Sequence, residues 1–164
     1  RQLKEIEARE ELCLTLKDMV SGTRIPKSAV HDIIKRWGPS APEVIRSNPY
    51  QLIDEIERIG FAIADAIAKK VGFDPEGYPR IRAGSIYSLK QAARGSGHVF
   101  LPKALFIQAT AELLAIGPDK VAAAIPAMIT DGHIVLREER LYLSGLFHDE
   151  SSVASKIKTL LEKP

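Results

Sequence analysis

The sequence predicts a mainly α chain: a tandem helix-hairpin-helix bundle followed by a small winged-helix-like α+β module. Three observations predict it. Apolar residues recur at helical spacing in one run after another. Two breaks between such runs carry glycine turns, at Gly22 and Gly60. After Pro79 the order changes to helix, strand, helix, helix, strand, strand, which is the order of a winged helix.

Residues 1 to 11 are charged and mixed in sign, the solvated start of a helix whose apolar run continues from Leu12 to Val20. Ser21, Gly22 and Thr23 interrupt it. Pro26 stands where a first helical residue should, and a second helix follows to about Trp37, with Val30, Ile33, Ile34 and Trp37 on one face. Gly38-Pro39 ends it, and a short helix from Ser40 through Arg46 joins the first unit to the second. Asn48 caps a helix from Pro49 to Glu55. Gly60 breaks the pattern, and Phe61 opens a run in which Ile63, Ala64, Ile67, Ala68 and Val71 share a face. Gly72 ends that run as a glycine just past the last helical residue should.

Asp74-Pro75-Glu76-Gly77-Tyr78-Pro79 is dense in turn residues and reads as a linker. A helix over 80–94 follows, with Ile81, Ile86, Leu89, Ala92 and Ala93 on its apolar side. His98 to Leu101 reads as a strand. Pro102 and Pro118 each start a helix, the second kinked at Pro126 and closed by Gly132. Ile134 to Leu136 and Leu141 to Leu143 flank a Glu-Glu turn and read as a β-hairpin. Ser152 to Lys163 forms a last amphipathic helix. The domain expectation is therefore 1–73 for the tandem hairpins, 74–79 for the linker, 80–145 for the winged module and 146–164 for the C-terminal helix.

The chain has 164 residues and a net charge of only +2, so overall charge gives little support for a nucleic-acid partner and its distribution must be examined instead. The single cysteine, Cys13, excludes an internal disulfide framework and reads as a buried thiol. No stretch approaches the ~20 apolar residues of a membrane span, and no signal peptide is visible, which leads to a cytoplasmic expectation with no membrane partner. Beginning at arginine, the chain reads as a piece of something longer. No G-x-x-x-x-G-K-[ST] loop is present to cradle a nucleotide triphosphate. Scattered histidines and one cysteine give no zinc spacing. Asp65, Lys69 and Lys70 lie near the second hairpin, but Asp65 is expected to face solvent, and no glycosylase-like catalysis is expected.

The candidate binding residues fall in three groups. At the second hairpin, the amides of Gly60, Phe61 and Ala62 lie at a helix N-terminus, where unpaired N–H groups and the helix dipole favour an anion; Arg58 precedes them. At the first, the turn after Gly22 carries Arg24 and Lys27. Between Arg80 and Lys103 there are five Lys/Arg and no Asp/Glu, and Arg80, Tyr87, Lys90 and Arg94 gather on one side of a helix. Ordinary helical corners and a solvated helix face would give the same patterns. Tandem hairpins with basic edges, however, can present both turns to the two backbones of a duplex, reading phosphate rather than base. The third helix of the winged module offers only Lys120, beside Asp119 and Asp131, so that module reads as structural or docking rather than base-reading.

The sequence resembles the N-terminal region of RecD-like ATP-dependent DNA helicases, superfamily-one 5′-to-3′ enzymes related to the exonuclease V alpha subunit. Asn48-Pro49-Tyr50-Gln51-Leu52, Ile59-Gly60-Phe61 with Ala64-Asp65 and Ile67-Ala68, Arg80-Ile81-Arg82-Ala83-Gly84, Gly97-His98-Val99-Phe100-Leu101-Pro102 and Leu141-Tyr142-Leu143 carry it. The resemblance implies sequence-independent DNA-backbone binding by a non-catalytic accessory region, in DNA repair and recombination, with single-stranded or forked DNA as partner. It implies a helicase core C-terminal to this region, and ATP and Mg for that core but none here. The family's hairpin usually reads Gly-Ile-Gly-Phe, and Arg58 stands at its first glycine. The alternative is a protein-interaction scaffold packing on the helicase core or a partner subunit, with the last helix as the docking element.

Overall fold

The computed structural model describes residues 2–162. Their contacts divide the chain into two compact units, with the boundary between Arg80 and Ile81.

The first unit is helical. Helix α1 spans Gln2–Val20 and α2 spans Lys27–Trp37; a 3-10 turn at Gly38–Ser40 leads into α3, Ala41–Ser47. Helices α4, Gln51–Glu55, and α5, Phe61–Lys70, form the second hairpin. Helix α1 packs on α2, α3 and α5, α3 packs on α2, and α4 packs on α5. Leu16, Ile33, Ile45, Leu52 and Ile67 are fully buried at the centre. Pro26 is the N-cap of α2 rather than its first residue, because its extended ψ of 142° sets the chain direction into the helix. Helix α4 starts two residues later than Pro49: Asn48 does cap the segment, its Oδ1 accepting the Tyr50 N–H at 3.2 Å, but residues 49 and 50 form a turn. Past α5, Gly72 takes a φ of 71° and the Phe73 N–H reaches back to the Ala68 carbonyl at 2.9 Å, the left-handed closure that only glycine adopts without strain.

The apolar face drawn through Val30, Ile33, Ile34 and Trp37 is only partly buried: Ile33 and Ala29 reach the core, whereas Trp37 is half-buried with Arg36 at its ring. Cys13 is half-buried rather than buried, since it sits at the border of the exposed side of α1.

The turn after α5 is shorter than composition predicts. Asp74 closes it through Oδ1, which accepts the Glu76 N–H at 3.0 Å, and α6 already begins at Tyr78 and runs to Ser96. The second unit continues with β1, Phe100–Pro102; α7, Lys103–Leu114; α8, Pro118–Thr130; β2, Ile134–Arg137; β3, Arg140–Leu143; and α9, Ser144–Leu161. The three strands form one antiparallel sheet in the order β1-β3-β2, with Leu141 opposite both Leu101 and Leu136. The protein is thus mainly α, with a small three-stranded sheet in its second part. The first strand begins at Phe100 rather than His98, and α8 continues through Pro126. Helix α9 begins eight residues before Ser152, directly off β3, because Leu143, the last strand residue, is itself the extended N-cap of the helix.

Two local features shape this unit. The hairpin turn uses Glu138 and Glu139, with φ of 49° and 59°. Both central residues are left-handed, as a two-residue turn matching the sheet twist requires, although glutamate adopts that region at a cost. Gly84 on α6 faces Leu114 on α7 so closely that a Cβ would lie 2.6 Å from Leu114 Cδ2, and Leu114 is itself buried. Gly84→Ala should therefore destabilise this unit by about 1–3 kcal/mol through overpacking. Chemical denaturation reads the effect, and an unchanged midpoint would show that Leu114 has room to turn away.

Candidate nucleic-acid interface

The two hairpins of the first unit share one backbone pattern. In the first, Arg24 has a φ of 58°, Ile25 follows, Pro26 caps in an extended conformation, and Lys27 opens α2. In the second, Arg58 has a φ of 70°, Ile59 follows, Gly60 caps in an extended conformation, and Phe61 opens α5. Each turn therefore has an arginine in the left-handed region three residues before a helix start. Each places the first-turn amides of a helix, at the positive end of its dipole, beside that arginine. Gly22, with φ of 78°, lets the first chain leave α1; Thr23 closes that corner, its hydroxyl donating to the Val20 carbonyl at 2.6 Å. Arg24, Lys27, Arg58, Gly60 and Ala62 are exposed. Phe61 is not: its ring is buried 6.2 Å from that of Tyr50, so only its backbone belongs to the surface pattern.

Side chains tie the hairpins together. Arg58 Nη1 donates to Ser28 Oγ at 3.2 Å, so the second turn reaches the first turn of α2. Lys70, at the end of α5, donates to the Ser21 carbonyl at 2.9 Å and also to the Ser21 hydroxyl. Arg36 on α2 pairs with Glu55 on α4. Neither Ser21 nor Ser28 stands out in the sequence, because the ties join positions far apart in the chain. The side chains of Arg24 and Lys27 make no hydrogen bond or ion pair among the described residues.

Beneath the second hairpin lies a buried polar network. Asp65 on α5 is 7% exposed, contrary to its expected solvent-facing position. Its Oδ1 accepts the Tyr50 hydroxyl at 2.7 Å and Arg80 Nε at 2.7 Å; its Oδ2 takes Arg80 Nη2 at 3.3 Å and pairs with Lys69 Nζ at 3.1 Å. Arg80 Nη1 donates to the Pro75 carbonyl at 2.9 Å. Burial opposes the Asp65 carboxylate, but the hydrogen bonds from Arg80, Tyr50 and Lys69 outweigh it and hold its pKa below the ordinary carboxylate value. The Arg80 pKa is raised by the hydrogen bond to Asp65 against the opposing effect of burial. Burial first, then the hydrogen bond to Asp65, pushes the Tyr50 phenol up.

Arg80 accordingly leaves the basic face assigned to it. It is 5% exposed, and its charge is spent on Asp65. Of that group, Lys90 and Arg94 are exposed on α6 and Tyr87 is half-buried, all in the second unit. Among the described residues no group of three or more His, Cys, Asp or Glu is placed to hold a metal. No single helix is long and apolar enough to cross a membrane, again among the described residues.

Paired hairpins, each with a left-handed turn residue just before a helix start, define a helix-hairpin-helix module. Residues 11–100 match the family model described as the ATP-dependent RecD2 DNA helicase HHH domain, and the chain belongs to that family. It is also similar to the ATP-dependent RecD2 DNA helicase of Deinococcus radiodurans, 26% identical over 144 residues. The match covers 80% of this chain and 20% of that relative, so the chain spans about a fifth of the relative's length.

Proposed function

We propose that this chain binds the DNA backbone without sequence preference, as the accessory N-terminal region of a superfamily-one 5′-to-3′ DNA helicase. The observation that carries the reading is the repeated hairpin pattern, Arg24 to Lys27 and Arg58 to Phe61, with an exposed cation and a helix N-terminus at both turns. Such groups recognise phosphate and carry no base information. The cellular setting that goes with this reading is cytoplasmic DNA repair and recombination, with single-stranded or forked DNA as the working substrate. ATP hydrolysis, with its Mg, then belongs to a helicase core outside these residues, and this region contributes no catalysis. Two labelled duplexes of unrelated sequence should bind with dissociation constants within about twofold, and Lys27→Glu should weaken both alike. A strong preference for one sequence, or no loss in the variant, would overturn the reading.

A second reading has its own observation. Helix α9 leaves Val153, Ile157, Leu160 and Leu161 exposed, an apolar side without a partner among the described residues. Under that reading α9 docks on the helicase core or a partner subunit, and the hairpins serve as helical corners. Measurable binding of DNA by this chain alone separates the two.

A further inference from the structure

We propose that Ser28 is a positioning residue for DNA-backbone binding: it holds Arg58 so that the two hairpins engage phosphates as one rigid unit. The inference rests on the phosphate reading above. The sequence separation is 30 residues, and the contact joins the turn of one hairpin to α2, the second helix of the other. Arg58 extends from a backbone with φ of 70°, at an exposed corner where a long side chain would otherwise sample many rotamers. The Ser28 hydroxyl takes one N–H of Nη1 at 3.2 Å. Among the described residues the guanidinium has no other hydrogen-bond or ion-pair partner, which leaves the Nε and Nη2 edge for the paired oxygens of a phosphodiester. Lysine has three donors but only one nitrogen, so it can hold Ser28 or touch a phosphate oxygen yet offers no planar two-nitrogen edge for the paired oxygens. The corresponding position of the second helix, the residue after Phe61, is Ala62, which has no hydroxyl to offer Arg24. The tie is thus one-sided: Arg58 is fixed and Arg24 is free to adapt.

The test is a double-mutant cycle on the 164-residue chain, read as affinity for a labelled duplex of fixed sequence at one salt concentration. Ser28→Ala should weaken binding about threefold to tenfold, the range of one organising hydrogen bond, with unchanged thermal unfolding because Ser28 is exposed. Adding Ser28→Ala to Arg58→Ala should cause no further loss, Ser28→Thr should bind as the parent, and Arg58→Lys should resemble Ser28→Ala. Losses that multiply in the double variant would overturn the proposal, because Ser28 would then act independently of Arg58. Parent-like binding by Ser28→Ala beside a weakened Arg58→Ala would also overturn it while leaving the phosphate reading intact. Absence of binding by the parent chain, or no loss in Arg58→Ala, would overturn the phosphate reading and this proposal with it.

Discussion

Replacing Asp65 by alanine is expected to destabilise the first unit by about 3 kcal/mol, because it strands a buried guanidinium. The Asp65 side chain is 10% exposed and that of Arg80 6%, so water cannot take over the lost partner. The Tyr50 hydroxyl, at 2.7 Å from Asp65, loses its acceptor in the same step. What fails is the support of the second hairpin: Tyr50 precedes α4, Asp65 lies on α5, and Arg80 pins the Pro75 carbonyl of the following turn. Urea denaturation followed by circular dichroism reads the loss, and a stability change below about 0.5 kcal/mol would show that the network is dispensable. The same network sets a pH dependence. Because the folded Asp65 pKa lies below its ordinary 3.8, its contribution is complete above that value and fades as pH falls through the lower, folded pKa. Stability should therefore decline below about pH 4, and Asp65→Asn should flatten that part of the profile.

Arg58→Glu is expected to weaken DNA binding by about tenfold or more and to reduce the salt slope by about one unit, the effect of losing one phosphate contact. The negative charge would also face the N-terminus of α5 across the Gly60 cap, at the spot where a phosphate is expected. Arg58→Gly separates binding from folding. Its φ of 70° is the left-handed region, where a side chain costs about 1–2 kcal/mol of steric strain and glycine only its smaller backbone entropy, about 0.5–1 kcal/mol. Arg58→Gly should therefore raise the unfolding midpoint while lowering DNA affinity. A glycine variant that is both more stable and equally tight for DNA would remove Arg58 from the interface. The family's usual glycine at this position is accounted for by the same dihedral: the turn demands a left-handed residue, and this chain fills it with a cation.

Most of the helices were legible because their signals are local. Gly60 and Gly72 punctuate α5, and the spacing of Ala64, Ile67 and Ala68 gives its buried side, with Ile63 and Val71 half-buried at its edge. The Glu-Glu turn between Ile134 and Leu143 was legible for the same reason, as two short apolar runs around a polar pair. Asp65 and Arg80 were misplaced because their environment is made by residues 15 positions apart on different elements, and helical spacing says nothing about what lies opposite a face. Arg80 shares a helix side with Lys90 and Arg94 in projection, yet it sits in the first turn of α6, where the preceding turn folds back over it. Ser28 was invisible for a related reason: a serine in the first turn of a helix is ordinary, and its role comes from the second hairpin, 30 residues away.

The most direct test of the account is the affinity of this chain for duplex DNA across a salt series from low to physiological concentration. The account predicts a straight line in logarithmic coordinates with a slope of about −1.8 or steeper, at least one phosphate neutralised by each hairpin. A slope near zero, or no binding even at the lowest salt, would contradict it.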